Sequence, residues 1–267
     1  MAHTDNPAQT GLDAQRSRGL GDLLLDQFFT NGRILETERI AARMTRLRIG
    51  GPALQNLDWL PGQHVRVATG DSASGNVLAR VGDLRTYSVW HFDRENGELH
   101  LCVLDHGDGP GARWGRNAVV GQQVRFRGPE GSFTLRADTT SGERAPYHLF
   151  AGEETASVAL GAMLRAVPDD IPVHGAIETA SAEDRLPLPR AAELAHPVRG
   201  DASAARSEIL LDAVRGLDLP PAPGVAYLAG EARTIQQIMK HLVRERQWPR
   251  RAILTKPFWT PGKRGMD

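Results

Sequence analysis

The chain has 267 residues, enough for one large or two medium domains, and its 40% hydrophobic and 24% charged residues are ordinary for a globular protein. Its 32 basic and 32 acidic side chains balance, which argues against a general nucleic-acid-binding or anionic-membrane role because both need a basic surplus. Cys102 is the only cysteine, so neither an internal disulfide nor a cysteine-based metal site fits within one chain.

Signals for targeting and for metal binding are also missing from the sequence. Residues 1–15 are polar and lack the apolar core of a signal peptide, and no run approaches the roughly 20 apolar residues of a membrane span. The nine histidines follow no metal-ligand spacing. We therefore expect a cytoplasmic protein with no membrane span, no structural metal and no nucleic-acid partner, although a local basic patch stays possible.

The first half of the chain has the pattern of short strands separated by turns. Residues 1–18 are predicted to be disordered, 19–29 to form an amphipathic helix or turn, and 70–81 to form a loop. Strands are predicted at 33–40, 42–49, 63–69, 84–90, 98–105 and 122–127. Closely spaced strands with glycine-rich turns predict an antiparallel β-barrel.

The second half, after a polar linker at 137–145, alternates strands with helices. Strands are predicted at 147–151, 173–178, 225–229 and 252–254, and helices at 154–167 and 231–247. The weakly patterned residues 190–215 are interpreted as an irregular, mobile excursion. Alternating strands and helices predict a mostly parallel sheet covered by helices.

The strand at 84–90 carries the most informative side chains. Arg85 and Tyr87 share one face, because side chains in a strand alternate with period two. A guanidinium can bind a phosphate through two hydrogen bonds, an aromatic plane can lie on a flat cofactor ring, and the adjacent Ser88 hydroxyl can bond a ring atom. These groups predict a flavin-nucleotide site. The alternative is an ordinary strand with one exposed arginine and a half-buried tyrosine, because short motifs recur by chance.

A glycine-rich loop follows at 104–114. Gly109 and Gly111 let backbone N–H groups approach a pyrophosphate, and a helix that begins near Pro110 favours negative charge at its N-terminus. A tight turn before an ordinary helix is the alternative. The position just downstream of Arg85 favours phosphate binding.

Three further stretches admit two interpretations each. Glu153 and Glu154 follow a strand, at the position where open α/β sheets bind ligands. However, the stretch lacks the G-x-G-x-x-G fingerprint, and the two carboxylates would repel a pyrophosphate. Acidic residues also stabilise a helix N-terminus, which is the alternative interpretation. Arg233, after another strand, could meet a cofactor phosphate or be solvated. Phe258 and Trp259 could shield a flavin or simply anchor the terminus.

Together these stretches resemble the siderophore-interacting protein family, the flavin-dependent ferric-siderophore reductases related to ferredoxin–NADP reductases. The resemblance covers about residues 32–265. The matching motifs are Arg85-x-Tyr87-Ser88, the loop from His106 to Trp114, Gly152-Glu153-Glu154-Thr155-Ala156, Ala229-Gly230-Glu231-Ala232 and Lys256-Pro257-Phe258-Trp259.

The resemblance implies two domains. An N-terminal tail and helix (1–31) would precede a six-stranded antiparallel FAD-binding β-barrel (32–137), and an α/β parallel-sheet NAD(P)H-dehydrogenase-like domain (146–267) would follow. The implied FAD-binding residues are Arg85, Thr86, Tyr87, Ser88, His106, Gly109, Pro110, Gly111, Ala112, Trp114, Thr155 and Trp259.

The resemblance also implies an activity, the FAD-dependent reduction of a ferric siderophore to release ferrous iron. Arg66 and Lys256 are the predicted substrate-binding residues, and NADPH, NADH or ferredoxin is the implied electron donor. No catalytic acid or base is assigned, since electron transfer to bound iron needs proximity and a tuned potential.

Departures from the family pattern leave the charge class of the chelate open. Trp90 stands where the family often has a basic residue, Glu130 stands where arginine is frequent, and Pro257-Phe258 replaces Gly-Tyr. A neutral or cationic chelate is therefore an alternative to an anionic one. Two other functions also stay open, a flavoprotein reductase that passes NAD(P)H electrons to a protein partner and a non-catalytic flavin- or siderophore-binding protein.

Overall fold

The computed structural model describes residues 29–70, 84–136, 142 and 144–263. The predicted disordered segment at 1–18, the helix at 19–29 and the loop at 70–81 lie outside these residues, apart from Phe29 and Gly70 at their edges. Within the described part of the chain, no helix has the length and apolarity to cross a bilayer.

Six antiparallel strands close into a barrel in the order β1-β2-β5-β4-β3-β6. They are β1 (Thr30–Ala41), β2 (Met44–Gly50), β3 (His64–Ala68), β4 (Leu84–Asp93), β5 (Glu98–Leu104) and β6 (Gln123–Glu130). Alternating side chains fill the interior, and Leu47, Val65, Val89 and Phe126 are fully buried there. The predicted six-stranded antiparallel barrel is confirmed.

A short helix, α1 (Pro110–Arg116), joins β5 to β6 and begins at the predicted proline. Proline suits the first helical position because its fixed φ is pre-organised for a helix and its missing N–H has no partner there. Trp114 points from α1 into the barrel core, where it is 8% exposed.

The second unit is a sheet of four parallel strands in the order β10-β9-β7-β8. The strands are β7 (His148–Glu153), β8 (Val173–Glu178), β9 (Val225–Glu231) and β10 (Ile253–Trp259), and the helices are α2 (Ser157–Ala166), α3 (Glu208–Arg215) and α4 (Ala232–Arg244). The strand order reverses between β7 and β9, where open parallel sheets form a ligand crevice. The predicted parallel-sheet unit is confirmed.

The prediction of an irregular excursion at 190–215 was wrong for much of that segment. Ala195 and Val198 form parallel bridges beside β8, and α3 follows, capped by the Ser207 hydroxyl, which accepts a hydrogen bond from the Leu210 N–H at 3.1 Å. An eight-residue helix spans barely two turns, so its apolar pattern repeats too few times to be recognised.

The last strand is longer than the predicted 252–254. Lys256 to Trp259, which follow the predicted strand, form the second half of β10 and pair with β9. Pro257 fits because β10 is an edge strand, whose outer side needs no N–H donor.

The barrel and the sheet share one apolar cluster. Trp90 of β4 and Met44 of β2 lie in the same buried cluster as Leu160 of α2. The Arg165 guanidinium lies 4.8 Å from the centroid of the Trp90 ring and donates a 2.9 Å hydrogen bond to the Trp90 carbonyl. This packing fixes the positions of the two walls of the cleft described next. The domain limits at 32–137 and 146–267 stay predictions.

Candidate functional site

A cleft of about 1600 Å³ lies between the barrel and the sheet, and both units line it. The barrel contributes β3, β4 and the loop into α1, and the sheet contributes the ends of β7 and β10. The predicted site residues on its walls are Arg66, Arg85, Thr86, Tyr87, Ser88, His106, Gly109, Pro110, Gly111, Ala112, Thr155, Lys256 and Trp259. Segments that are remote in sequence thus meet around one space.

Trp114 is the predicted site residue that does not line the cleft. Its ring centroid is 5.3 Å from that of Tyr87, inside the barrel core. Trp114 therefore supports Tyr87 from behind rather than contacting the space in front of it.

The Tyr87 hydroxyl is buried and has no hydrogen-bond partner among the described residues. Burial raises the pKa of Tyr87 well above its usual value, so the phenol stays neutral. A buried hydroxyl without a partner is rare in proteins, and this one belongs to a residue that lines the cleft. The hydroxyl is a natural hydrogen-bond partner for a ligand.

The glycine loop presents open backbone to the cleft. A Cβ at Gly109, which lines the cleft, would meet no protein atom within 4 Å, so that space is free for a ligand group. Gly109 precedes α1 and no side chain caps the helix there. Arg116 holds the loop through ion pairs to Asp105 at 2.7 Å and Asp108 at 2.9 Å. A polar chain could lie along this backbone without displacing protein atoms.

Three parallel strands end in buried carboxyl groups. Glu153, Glu178 and Glu231 close β7, β8 and β9 and are 2%, 0% and 0% exposed. The indole Nε1 of Trp259 donates to Oε1 of Glu153 at 3.0 Å. Burial, followed by the neighbouring Glu154 charge, raises the pKa of Glu153.

The pKa of Glu231 is shifted in the opposite direction to that of Glu153. Burial opposes its ionisation, but backbone N–H donors from Thr234 at 2.9 Å and Arg233 at 3.0 Å lower its pKa overall. The carboxylate thereby caps the N-terminus of α4.

Glu154 lies in an ion network that crosses from the sheet to the barrel. It pairs with Arg199 and, at 3.1 Å, with Arg43 of the β1–β2 turn. Arg43 also pairs with Asp184 at 2.9 Å, and Arg199 lies 3.4 Å from Glu178. Although burial opposes ionisation, the Arg199 guanidinium holds the pKa of Glu154 below its usual value. Glu154 thus links the sheet to the barrel through ion pairs.

Of the two predicted substrate residues, Arg66 has a carboxylate partner. Its Nε lies 2.8 Å from Oε1 of Glu130, and His64 and Arg127 lie 3.8 Å and 3.5 Å from the same carboxylate group. The Glu130 departure noted in the sequence therefore reduces the positive charge beside Arg66.

Two family descriptions match this chain. The siderophore-interacting FAD-binding domain matches residues 78–133, and the siderophore-interacting protein matches residues 145–262. The chain belongs to the siderophore-interacting protein family.

Curated relatives share most of this chain. Ferric vibriobactin reductase ViuB of Vibrio cholerae is 28% identical over 238 residues, which cover 80% of this chain and 81% of ViuB. Mycobactin import ATP-binding/permease protein IrtA of Mycolicibacterium smegmatis is 27% identical over 250 residues, which cover 88% of this chain and 27% of IrtA.

Solved structures share the fold. A siderophore utilization protein from T. fusca superposes with a TM-score of 0.75 at 24% identity, covering 90% of this chain and 95% of that one. SipS, the siderophore-interacting protein of Aeromonas hydrophila, gives 0.72 at 22% identity, covering 88% and 93%. The FAD/NAD-binding domain of a Vibrio cholerae nitric oxide dioxygenase gives 0.67 at 18%, covering 86% and 98%.

In this siderophore-interacting protein, sequence reasoning missed several cations of the cleft. Arg43, Arg113, Arg136, Arg199, Arg250 and Lys263 also line it. Arg113 lies in α1, inside the quoted motif from His106 to Trp114, but no role was assigned to it there. The other five match no quoted motif, so no local signal distinguished them from solvated arginines and lysines. The cleft consequently carries more positive charge than Arg66, Arg85 and Lys256 alone predict.

Proposed function

We propose that this siderophore-interacting protein is a FAD-dependent ferric-siderophore reductase that releases ferrous iron in the cytoplasm. The observation that carries the proposal is the arrangement of Arg85, Tyr87 and Gly111 on one wall of the cleft, with the Tyr87 hydroxyl unpaired among the described residues. The family match to a FAD-binding domain and the relative named as a ferric vibriobactin reductase support it.

The barrel wall would hold the FAD. Arg85 would bind the pyrophosphate beside the open backbone of Gly109, because a guanidinium and backbone N–H groups both favour phosphate oxygens. Tyr87, supported by Trp114, would lie against the ring system, with the Ser88 hydroxyl next to it. The remaining predicted contacts are Thr86, His106, Pro110, Ala112, Thr155 and Trp259.

When bound, FAD supplies a carrier that takes up two electrons and passes them singly to iron. The protein contributes binding, orientation and charge, and ferrous iron then leaves because the chelator holds it weakly. NADPH, NADH or ferredoxin is the proposed donor.

The substrate would lie in the cleft near Lys256 and Arg66. Lys256 forms no salt bridge with a described residue, whereas Glu130 partly neutralises Arg66. Lys256 is therefore the stronger of the two as an electrostatic contact to the chelate.

The test begins with the purified protein loaded with FAD and reduced without oxygen. Addition of a ferric siderophore should reoxidise the flavin while a colorimetric chelator traps ferrous iron, two ions for each flavin. A colourless protein that cannot take up FAD overturns the proposal. Tight chelate binding without reoxidation would instead identify a non-catalytic carrier, and reoxidation only by an acceptor protein would identify a protein-directed reductase.

A further inference from the structure

A second groove of about 690 Å³ runs along the exposed face of α4. Five cationic side chains line it, and none of its described lining residues is acidic. Arg233, Lys240 and Arg244 come from α4 itself, where spacings of seven and four residues put them on one face. Arg206 flanks that face from the segment just before α3, and Arg250 from the segment just before β10.

The cations of this groove stand outside the ion pairs of the described residues, and Glu245, just after α4, interacts with Lys240 without forming an ion pair with it. All five cations are exposed, and none makes a salt bridge with a carboxylate in the part of the chain that the structure describes. The chain as a whole has 32 basic and 32 acidic residues, so the groove concentrates positive charge on a protein without a net surplus. Such a local field attracts negatively charged partners over about one Debye length.

The floor of the groove is apolar. Met239 and Val243 lie half-buried between the cations, while Ile238 and Leu242 on the opposite side of α4 are buried against the sheet. An apolar centre inside a charged rim is the composition of a protein–protein contact, and methionine adapts to different partner shapes.

The groove adjoins the cleft at two places. Arg250 lines both spaces, and Ala204, which lines the cleft, lies two residues from Arg206 of the groove. A protein bound on α4 would therefore stand beside the cleft that holds the proposed redox site.

We propose that the α4 groove is the docking surface for an acidic electron-donor protein. The inference rests on the proposed function, which requires a source of electrons next to the cleft. Redox encounters use small, charge-steered interfaces, and a basic face with a small apolar floor fits that pattern. Each docked donor loses one electron and each ferric ion gains one, so the exchange balances without bond formation or proton transfer.

The observations favour a protein over a nucleic acid. The basic face runs along a 13-residue helix that is about 20 Å long. The chain carries no net positive charge that could support a longer contact along a phosphate backbone. An apolar floor also offers nothing to phosphates, whereas it matches an apolar patch on a protein.

The test uses the FAD-loaded protein and a reduced plant-type [2Fe–2S] ferredoxin as an acidic probe. In the variant Arg233→Glu/Lys240→Glu, the second-order rate of flavin reduction should fall at least about tenfold. The wild-type rate should fall as salt rises from about 50 to about 500 mM, and the variant rate should lose most of that dependence. Arg39→Glu/Arg94→Glu, the same charge change on exposed barrel residues, should behave as wild type.

Two readouts separate this inference from the proposed function. Reoxidation of dithionite-reduced flavin by a ferric siderophore should be the same in wild type and in the α4 variant, and its failure in both would remove the proposed function. If that reaction proceeds while ferredoxin neither binds nor reduces the protein, or reduces the α4 variant as fast as wild type, the docking surface is wrong. Salt-sensitive binding of a DNA oligonucleotide, lost in the α4 variant, without ferredoxin binding would also overturn it.

Discussion

The Tyr87 hydroxyl and the Cα of Gly111 approach so closely that a Cβ on Gly111 would lie 2.7 Å from the phenolic oxygen. Gly111→Ala should therefore displace the Tyr87 ring, which is backed by Trp114 and has little room to move. Overpacking of this kind costs about 1–3 kcal/mol. We expect a loss of that size in the free energy of unfolding, with weaker FAD binding, measured by chemical denaturation and by flavin titration.

Gly109→Ala is the matched control for that substitution. Its Cβ would meet no protein atom within 4 Å and its φ of −63° suits any residue, so the FAD-free protein should keep its stability. FAD binding should nevertheless weaken if the pyrophosphate lies along this backbone. Unchanged FAD affinity in Gly109→Ala would place the cofactor elsewhere in the cleft.

Arg85→Ala should weaken FAD retention, because it removes a charge-assisted phosphate contact from the cleft wall. A hydrogen bond to a charged group contributes about 1.5–3 kcal/mol, equivalent to a rise of about 10- to 100-fold in the dissociation constant. Fluorescence titration of FAD measures the change. Arg85→Lys should recover only part of it, since lysine cannot form the bidentate contact, and full recovery would argue against that geometry.

The neighbours Glu153 and Glu154 should respond to amide substitution in opposite directions. Glu154→Gln removes the carboxylate that pairs with Arg199 and Arg43, and loss of one member of a buried ion pair costs about 3–5 kcal/mol. Chemical denaturation at neutral pH should show this loss. A change below about 1 kcal/mol would mean that the network adds little to stability.

Glu153→Gln should make the protein more stable than wild type at pH 8. Burial raises the pKa of Glu153 above its unfolded value, so the folded protein loses stability as pH rises from the unfolded pKa through the folded one. The glutamine variant lacks this penalty, and its advantage should be absent near pH 4 and appear as pH increases. A constant difference across that range would contradict the raised pKa.

Gly161→Ala should destabilise the protein although alanine is the better helix former. In α2 a Cβ at Gly161 would lie 2.4 Å from the Trp90 ring, which is held between the barrel and the sheet. Overpacking there should exceed the gain in helix propensity of about 1 kcal/mol. Thermal unfolding shows whether the variant is less or more stable than wild type. A more stable variant would show that the Trp90 ring can move to make room for the added methyl group.

Local patterns predicted much of this architecture. Alternation placed Arg85 and Tyr87 on one strand, and Gly109 to Gly111 marked a helix start, as the structure has them. The spacing of apolar residues and the residue types found in turns are local properties, so they can be recognised in the sequence. Boundaries were less accurate, since β6 continues to Glu130 beyond the predicted end at 127 and α2 begins at Ser157 rather than 154.

Features that depend on tertiary position could not be predicted in the same way. Pro257 argues against a strand unless the strand is known to lie at a sheet edge. Arg199 and Arg43 pair with Glu154 from distant parts of the chain. Trp114 lies in a cofactor-like motif, yet the barrel turns it behind Tyr87. In each case the partner is supplied by the fold rather than by neighbouring residues.

The position of β10 at the edge of the sheet has a consequence for the order of folding. The cleft needs Arg66 from an early barrel strand and Lys256 from β10, which can add to the sheet only after β9 has formed. Contacts between residues so far apart in the chain form slowly. A ligand that requires both walls therefore cannot guide the first stages of collapse, and its uptake marks the completion of the native structure.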